Sequence, residues 1–208
     1  MIQCGIDEAG RGPVIGPMVI ALVCGEADTL RSIGVKDSKL LSPNARERLF
    51  HLIERSACKV SIDIIQSSTL NEMMRQMSLN EIEYIHYSGL VTQAEGDIFL
   101  DCFDPVTERA ERRFKSETGK SVVCEHNADA KYPAVSAASI IAKVTRDREI
   151  DKIREEYGEV GSGYPSDPYT IDFLKREISR GTDISRIVRT EWATFRRIRS
   201  EVSNRRLI

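Results

Sequence analysis

Long apolar runs are missing from this 208-residue chain. No stretch approaches the ~20 uninterrupted apolar residues of a membrane-spanning helix, so no membrane association is expected. A basic-then-apolar leader is also missing. The acidic pair Asp7-Glu8 stands where a signal peptide would carry its apolar stretch, and a cytoplasmic location is expected. Cysteine is sparse, and the nearest pair, Cys4 and Cys24, lies 20 positions apart. Without C-x-x-C spacing, a zinc site is not expected. Five cysteines, each in or near an apolar segment, read as reduced buried thiols. Neither a G-x-S-x-G elbow nor a glycine-Lys-Ser/Thr phosphate loop occurs. The three histidines (His51, His86, His126) fall on expected helices or beside a strand end, where a structural role is commoner than a catalytic one. Gly10, Gly12 and Gly16 place the third glycine one position late for a dinucleotide fingerprint. Pro13 and Pro17 would also break the helix that the motif must open.

What the chain does contain is a balanced 41% hydrophobic and 30% charged composition, enough to bury a core. Repeats, low-complexity tracts and long linkers are absent. Strands are expected over residues 2–6, 18–24, 60–64, 97–101 and 122–124. They alternate with helices over about 42–55, 78–90, 106–118 and 134–157, the pattern of an α/β fold. Ser42-Pro43 reads as a helix cap followed by proline at the first helical position. Two or three further helices close the chain. Division into a core over residues 1–160 and a C-terminal helical region over 161–208 follows. Residues 186–206 hold seven arginines (Arg186, Arg189, Arg196, Arg197, Arg199, Arg205, Arg206) against Glu191 and Glu201, on a chain of net charge -2. That segment is open to two readings, a phosphate-binding surface or a solvated helix face.

Carboxylates mark the chemistry. Asp7-Glu8 follows the first apolar strand, Asp101 the strand at 97–101, and Asp129 the strand at 122–124. Adjacent carboxylates repel, and a cation would relieve them. A solvated acidic strand end is the alternative. Oxygen-only ligands favour Mg²⁺ or Mn²⁺, and several carboxylates together suit two-metal phosphodiester hydrolysis. Asp104 lies three positions after Asp101 and competes for the same role. Asp101 is preferred because it ends the apolar run directly.

Several blocks together resemble the type 2 ribonucleases H, or ribonuclease HII family, in the archaeal form. They are Gly5-Ile6-Asp7-Glu8-Ala9-Gly10-Arg11-Gly12-Pro13, Lys36-Asp37-Ser38-Lys39-Leu40 and Asp101-Cys102-Phe103-Asp104. His126-x-x-Asp129-x-Lys131-Tyr132-Pro133, the run Ala137 through Val144, and Gly161-Ser162-Gly163-Tyr164-Pro165-Ser166-Asp167-Pro168 complete the set. The resemblance implies a ribonuclease H-like mixed sheet flanked by helices, with a small C-terminal helical domain. It implies hydrolysis of the RNA strand of RNA/DNA hybrids and cleavage 5′ of ribonucleotides embedded in duplex DNA, leaving 3′-hydroxyl and 5′-phosphate ends. Asp7, Glu8, Asp101 and Asp129 would be the catalytic, metal-binding set for two divalent ions. Gly10, Arg11 and Gly12 would grip the ribose 2′-hydroxyl and adjacent phosphate through backbone groups. Tyr164 would lie against the sugar at the RNA–DNA junction, with packing in the core as its alternative. Lys39, Lys143 and Arg146 would contact phosphates. Leu40 and Leu41 follow Lys39 where many members have a second lysine. The residues Ser203-Asn204-Arg205-Arg206-Leu207-Ile208 lack the paired aromatics of a sliding-clamp motif, so clamp binding is not supported. A monomer is implied. The competing readings are another two-metal DNA nuclease of the same fold, and a catalytically inactive nucleic-acid-binding module.

Overall fold

The computed structural model describes residues 1–35 and 41–205. The Lys36–Leu40 block, with the expected phosphate contact Lys39, lies outside the described residues, as do residues 206–208 of the C-terminal tail. Five strands form one mixed sheet in the order β3-β2-β1-β4-β5. They are β1 (Ile2–Ala9), β2 (Met18–Glu26), β3 (Lys59–Ile65), β4 (Asp97–Asp101) and β5 (Val123–Glu125). β1 runs antiparallel to β2 and parallel to β4, and β4 is parallel to β5. Eight helices accompany them among the described residues: α1 (Ala27–Ser32), α2 (Pro43–Ser56), α3 (Ser67–Met74), α4 (Leu79–Val91), α5 (Thr107–Thr118), α6 (Pro133–Tyr157), α7 (Pro168–Arg180) and α8 (Ala193–Arg205). None is long and apolar enough to cross a membrane.

Local chemistry explains the boundaries. Ser42 caps α2, its hydroxyl accepting from the Ala45 N–H at 3.3 Å, and Pro43 supplies the first helical residue. α5 stops at Gly119, whose φ of 73° ends the helix in the left-handed region. The start of α6 lies against β1 backbone to backbone. A Cβ added at Gly5 would fall 2.1 Å from the Ala134 carbonyl carbon, which is why glycine and alanine face each other there.

Three expectations need correction. β1 does not stop at residue 6; its pairing with β2 continues through Ala9↔Val19. The strand expected at 60–64 forms, but its apolar residues Ile62 and Ile64 are exposed, and Ile65 is the buried residue. Cys4 and Cys24 are not reduced thiols. They occupy directly opposed positions of β1 and β2, with Cα atoms 4.0 Å apart, and are joined in a disulfide. Strand pairing brought together what 20 residues of sequence kept apart. Cys58, Cys102 and Cys124 are free.

The chain forms two compact units. One comprises Met1–Ala9, Val19–Asp63 and Leu79–Thr145; the other comprises Gly10–Met18, Ile64–Ser78 and Arg146–Ile208. Their segments alternate along the chain. Val19, Ala21, Val23, Phe50, Ile53, Ala138 and Ile141 belong to the core of the first unit. Val14, Ile15, Phe173, Leu174, Val188 and Phe195 belong to that of the second.

Candidate active site

Register builds the carboxylate cluster in the first unit. β1 and β4 are parallel and pair as Ile6↔Leu100, so the next residues, Asp7 and Asp101, lie side by side on neighbouring strands. Beyond β5 the chain turns through Asn127, whose φ of 57° is left-handed, a conformation asparagine tolerates. A 3-10 turn, Ala128–Ala130, then carries Asp129. The Ala128 N–H donates to Asp101 Oδ1 at 3.2 Å and ties that turn to the end of β4. Asp7, Asp101 and Asp129 each place a carboxylate oxygen within 4.8 Å of the others.

β1 continues past Asp7, and the adjacent acids take different hydrogen-bond partners while remaining close enough for their charges to interact. Asp7 is buried and receives a hydrogen bond from Ser139 on α6 and another, at 2.7 Å, from the Glu8 N–H. Glu8 instead accepts a short hydrogen bond from the buried Tyr87 hydroxyl on α4. Burial, then the charges of Glu8 and Asp101, hold the Asp7 carboxyl well above its usual range. A group so placed favours a cation beside it, and the oxygen-only donor set suits Mg²⁺ or Mn²⁺. Lys143 is half-buried on α6, one turn beyond Ser139.

Asp104 is otherwise employed. It is 1% exposed, and its oxygens accept from Arg109 at 2.5 and 3.0 Å, from the Tyr84 hydroxyl at 2.6 Å and from the Val106 N–H at 2.8 Å. The Arg109 guanidinium, chiefly, lowers its pKa to about 2. A carboxyl depressed in the folded state stabilises the fold above the ordinary carboxylate range, and that contribution is lost as pH falls through about 2. Asp104→Asn is expected to cost about 2 kcal/mol at neutral pH, the scale of charge-assisted hydrogen bonds at a buried carboxylate with a solvent-exposed partner. Urea melts at pH 7 and pH 3 check this, since the difference from wild type should shrink at the lower pH. Mg²⁺ dependence of activity should not change. Lost metal dependence at unchanged stability would place Asp104 in the metal set.

The second unit carries the glycine loop. Gly10 has a φ of 88°, and a Cβ there would lie 2.4 Å from Arg146 Nε, so this position requires glycine. Gly12 is exposed, and a Cβ on it would meet only Tyr164 Cε1, at 3.9 Å. Gly163, with a φ of 82°, precedes Tyr164, and its carbonyl accepts from the N–H groups of Val14 (2.8 Å) and Ile15 (3.2 Å). These bonds fix the Tyr164 segment against the strand of chain that follows the loop. The Tyr164 ring is 40% exposed, not packed in the core, and its centroid lies 5.5 Å from the Arg146 guanidinium. Arg146 itself is only 2% exposed, and its Nη2 donates to the Ile15 carbonyl at 3.3 Å. It is buried against Gly10 and Ile15.

The arginine-rich segment divides as well. Arg196 and Arg197 pair with Glu191 and Glu201, Arg186 and Arg199 are exposed, and Arg189 is fully buried. Sequence reasoning counted Arg189 with the surface. Nothing in a run of arginines distinguishes the one whose partners are backbone carbonyls.

The Ribonuclease HII family model matches residues 4–195. Ribonuclease HII of Thermoplasma volcanium is 54% identical over 203 residues, which span 98% of this chain and 95% of that protein. The ribonuclease H2 crystal structure from Pyrococcus horikoshii OT3 has a TM-score of 0.91 at 41% identity, covering 98% of this chain and 99% of that one. The structure of the PCNA:RNase HII complex from Archaeoglobus fulgidus has a TM-score of 0.87 at 43% identity, covering 92% and 95%.

Proposed function

The chain belongs to the ribonuclease HII family and is a ribonuclease H, and from that premise we propose that it hydrolyses the RNA strand of RNA/DNA hybrids and cleaves 5′ of single ribonucleotides in duplex DNA. The observation that carries the proposal is the convergence of Asp7, Asp101 and Asp129 within 4.8 Å. A nucleic-acid-binding module gains affinity by shedding negative charge, not by burying it in a cluster. That argues against an inactive binding protein.

Asp7, Asp101 and Asp129, with Glu8, would hold two divalent ions, Mg²⁺ or Mn²⁺, and such ions activate the attacking water and stabilise the leaving oxygen. Other roles fall to the chain's own groups. Ser139 and the Glu8 N–H orient the Asp7 carboxylate. Gly10, Arg11 and Gly12 read the 2′-hydroxyl and hold its phosphate through backbone groups. Hydrolysis at that position leaves a 3′-hydroxyl and a 5′-phosphate. Lys143 and the exposed arginines Arg186 and Arg199 add phosphate contacts that position the duplex without reading it.

The test compares an all-DNA duplex with the same duplex carrying one ribonucleotide, with and without Mg²⁺. Metal-dependent cutting of the second alone is expected. Equal cutting of both would favour a two-metal DNA nuclease of the same fold.

Tyr164 supplies a further test. Its exposed ring beside Gly12 can stack on the sugar after the scissile ribose, where a 2′-hydroxyl would crowd it. Tyr164→Phe keeps the ring and should retain most activity. Tyr164→Ala should lose roughly tenfold or more on the single-ribonucleotide duplex, the scale of one lost stacking contact. Wild-type cleavage by Tyr164→Ala, measured under single turnover, would remove the tyrosine from the site.

A further inference from the structure

Arg189 is among the largest fully buried side chains, with 0% exposure. Its guanidinium reaches three backbone carbonyls: Nη2 donates to Gly10 at 2.6 Å, Nη1 to Arg11 at 3.1 Å and Nε to Gly16 at 2.9 Å. The Arg189 N–H bonds the Val14 carbonyl at 2.9 Å, and the Trp192 ring centroid lies 4.8 Å from the guanidinium carbon. The side chain is therefore fixed from both ends before it meets the loop.

Trans peptide planarity gives this a consequence. In each peptide the C=O and the following N–H point in opposite directions. Fixing the Gly10 carbonyl on Arg189 turns the Arg11 N–H away from it. Fixing the Arg11 carbonyl does the same for the Gly12 N–H. Two consecutive donors are thereby aimed out of the loop, and the planar guanidinium holds each carbonyl on a separate nitrogen of a rigid fork, a geometry that the single nitrogen of an ammonium does not reproduce.

We infer that Arg189 is a positioning residue for ribonucleotide recognition: it presents the Arg11 and Gly12 N–H groups to the 2′-hydroxyl and its phosphate without itself touching substrate. The inference rests on the proposed role of the Gly10–Gly12 loop. Its counterpart for comparison is Ser67, whose hydroxyl donates to the carbonyls of Gly16 and Ile187, each at 3.0 Å, and to neither carbonyl of the Gly10-Arg11 pair.

The experiment measures affinity for a single-ribonucleotide duplex and for the matching all-DNA duplex, without divalent ions so that nothing is cut. Arg189→Lys should reduce the ratio of the two affinities by about tenfold or more, with all-DNA binding unchanged, because charged hydrogen bonds to the loop are lost while the charge remains. Ser67→Ala should lower the melting temperature and keep the ratio. A wild-type ratio in Arg189→Lys, at any melting temperature, overturns the inference and leaves Arg189 a packing residue. Should Arg189→Lys not fold, Arg189→Gln, whose amide can donate to one loop carbonyl at a time, is measured in the same way, and a wild-type ratio there likewise overturns the inference. Failure of the underlying reading looks different. In that case wild type does not discriminate between the duplexes, or Gly12→Ala keeps the wild-type ratio.

Discussion

Asp7→Asn is expected to abolish cleavage while leaving its unit folded. Asparagine has the size of aspartate and can still accept from the Glu8 N–H and Ser139. What it removes is the charge at the centre of the Asp7, Asp101 and Asp129 cluster. Charge stabilisation by a bound divalent ion is worth several kcal/mol, so the expected loss is on the order of a thousandfold or more. Stability should move the other way. Burial and the charges of Glu8 and Asp101 raise the Asp7 carboxyl pKa in the folded state. Ionised Asp7 is therefore a cost to the metal-free fold at neutral pH, and that cost disappears when the group is protonated in acid. Asn removes it, so the metal-free melting temperature should hold or rise. Added Mg²⁺ should raise the melting temperature of wild type through binding linkage and that of the variant much less. Single-turnover cleavage and thermal melts across a Mg²⁺ series read both effects. Activity near wild type in excess Mg²⁺ would falsify the role given to Asp7.

That cluster was legible in the sequence for a local reason. Asp7 and Asp101 sit at the ends of short apolar runs, and Asp129 follows the run at 122–124 after a four-residue turn, so the strands announce them. The division of labour between Asp7 and Glu8 was not legible, because it depends on β1 pairing with β2 as far as Ala9↔Val19. A strand read as ending at residue 6 says nothing of their partners, whereas in the structure Glu8 accepts from Tyr87 and Asp7 from Ser139 and the Glu8 N–H. Asp104 could be weighed against Asp101 only on its position, whereas the structure occupies it with Arg109, Tyr84 and the Val106 N–H. The short helices α1 and α3 went unseen because six or eight residues carry too little periodicity to register. Long-range pairing hid the rest. The disulfide partner of Cys4 and the carbonyl partners of Arg189 are set by strand register and by a contact 173 to 179 positions away. A composition count assigns such an arginine to the surface because most arginines are there.

Gly12→Ala is expected to separate ligand approach from fold. Most loop glycines cannot carry this test. Gly10 and Gly16 have positive φ, and a Cβ on either would fall within 2.5 Å of Arg146 or Ile150, so loss of function there would only report a distorted loop. Gly12 lacks that constraint. Its φ is not in the left-handed region, it is exposed, and a Cβ would meet nothing closer than Tyr164 Cε1 at 3.9 Å. At a compatible position, glycine to alanine stabilises a protein by about 0.4–1 kcal/mol by narrowing the unfolded ensemble. The melting temperature should therefore stay or rise slightly. Cleavage of a single-ribonucleotide duplex should fall by about a hundredfold or more, since a methyl group placed between the Gly12 N–H and the sugar displaces the reacting ribose by an ångström or so. The Mg²⁺-induced rise in melting temperature should match wild type, because none of the carboxylates is altered. Asp7→Asn is expected to show the reverse pattern, with the metal-linked stabilisation lost and discrimination between ribonucleotide and all-DNA duplexes retained in binding. A Gly12→Ala protein that cuts at the wild-type rate would show that the loop does not approach the substrate backbone to backbone. The 2′-hydroxyl would then have to be read elsewhere, with the exposed ring of Tyr164 the next group to examine.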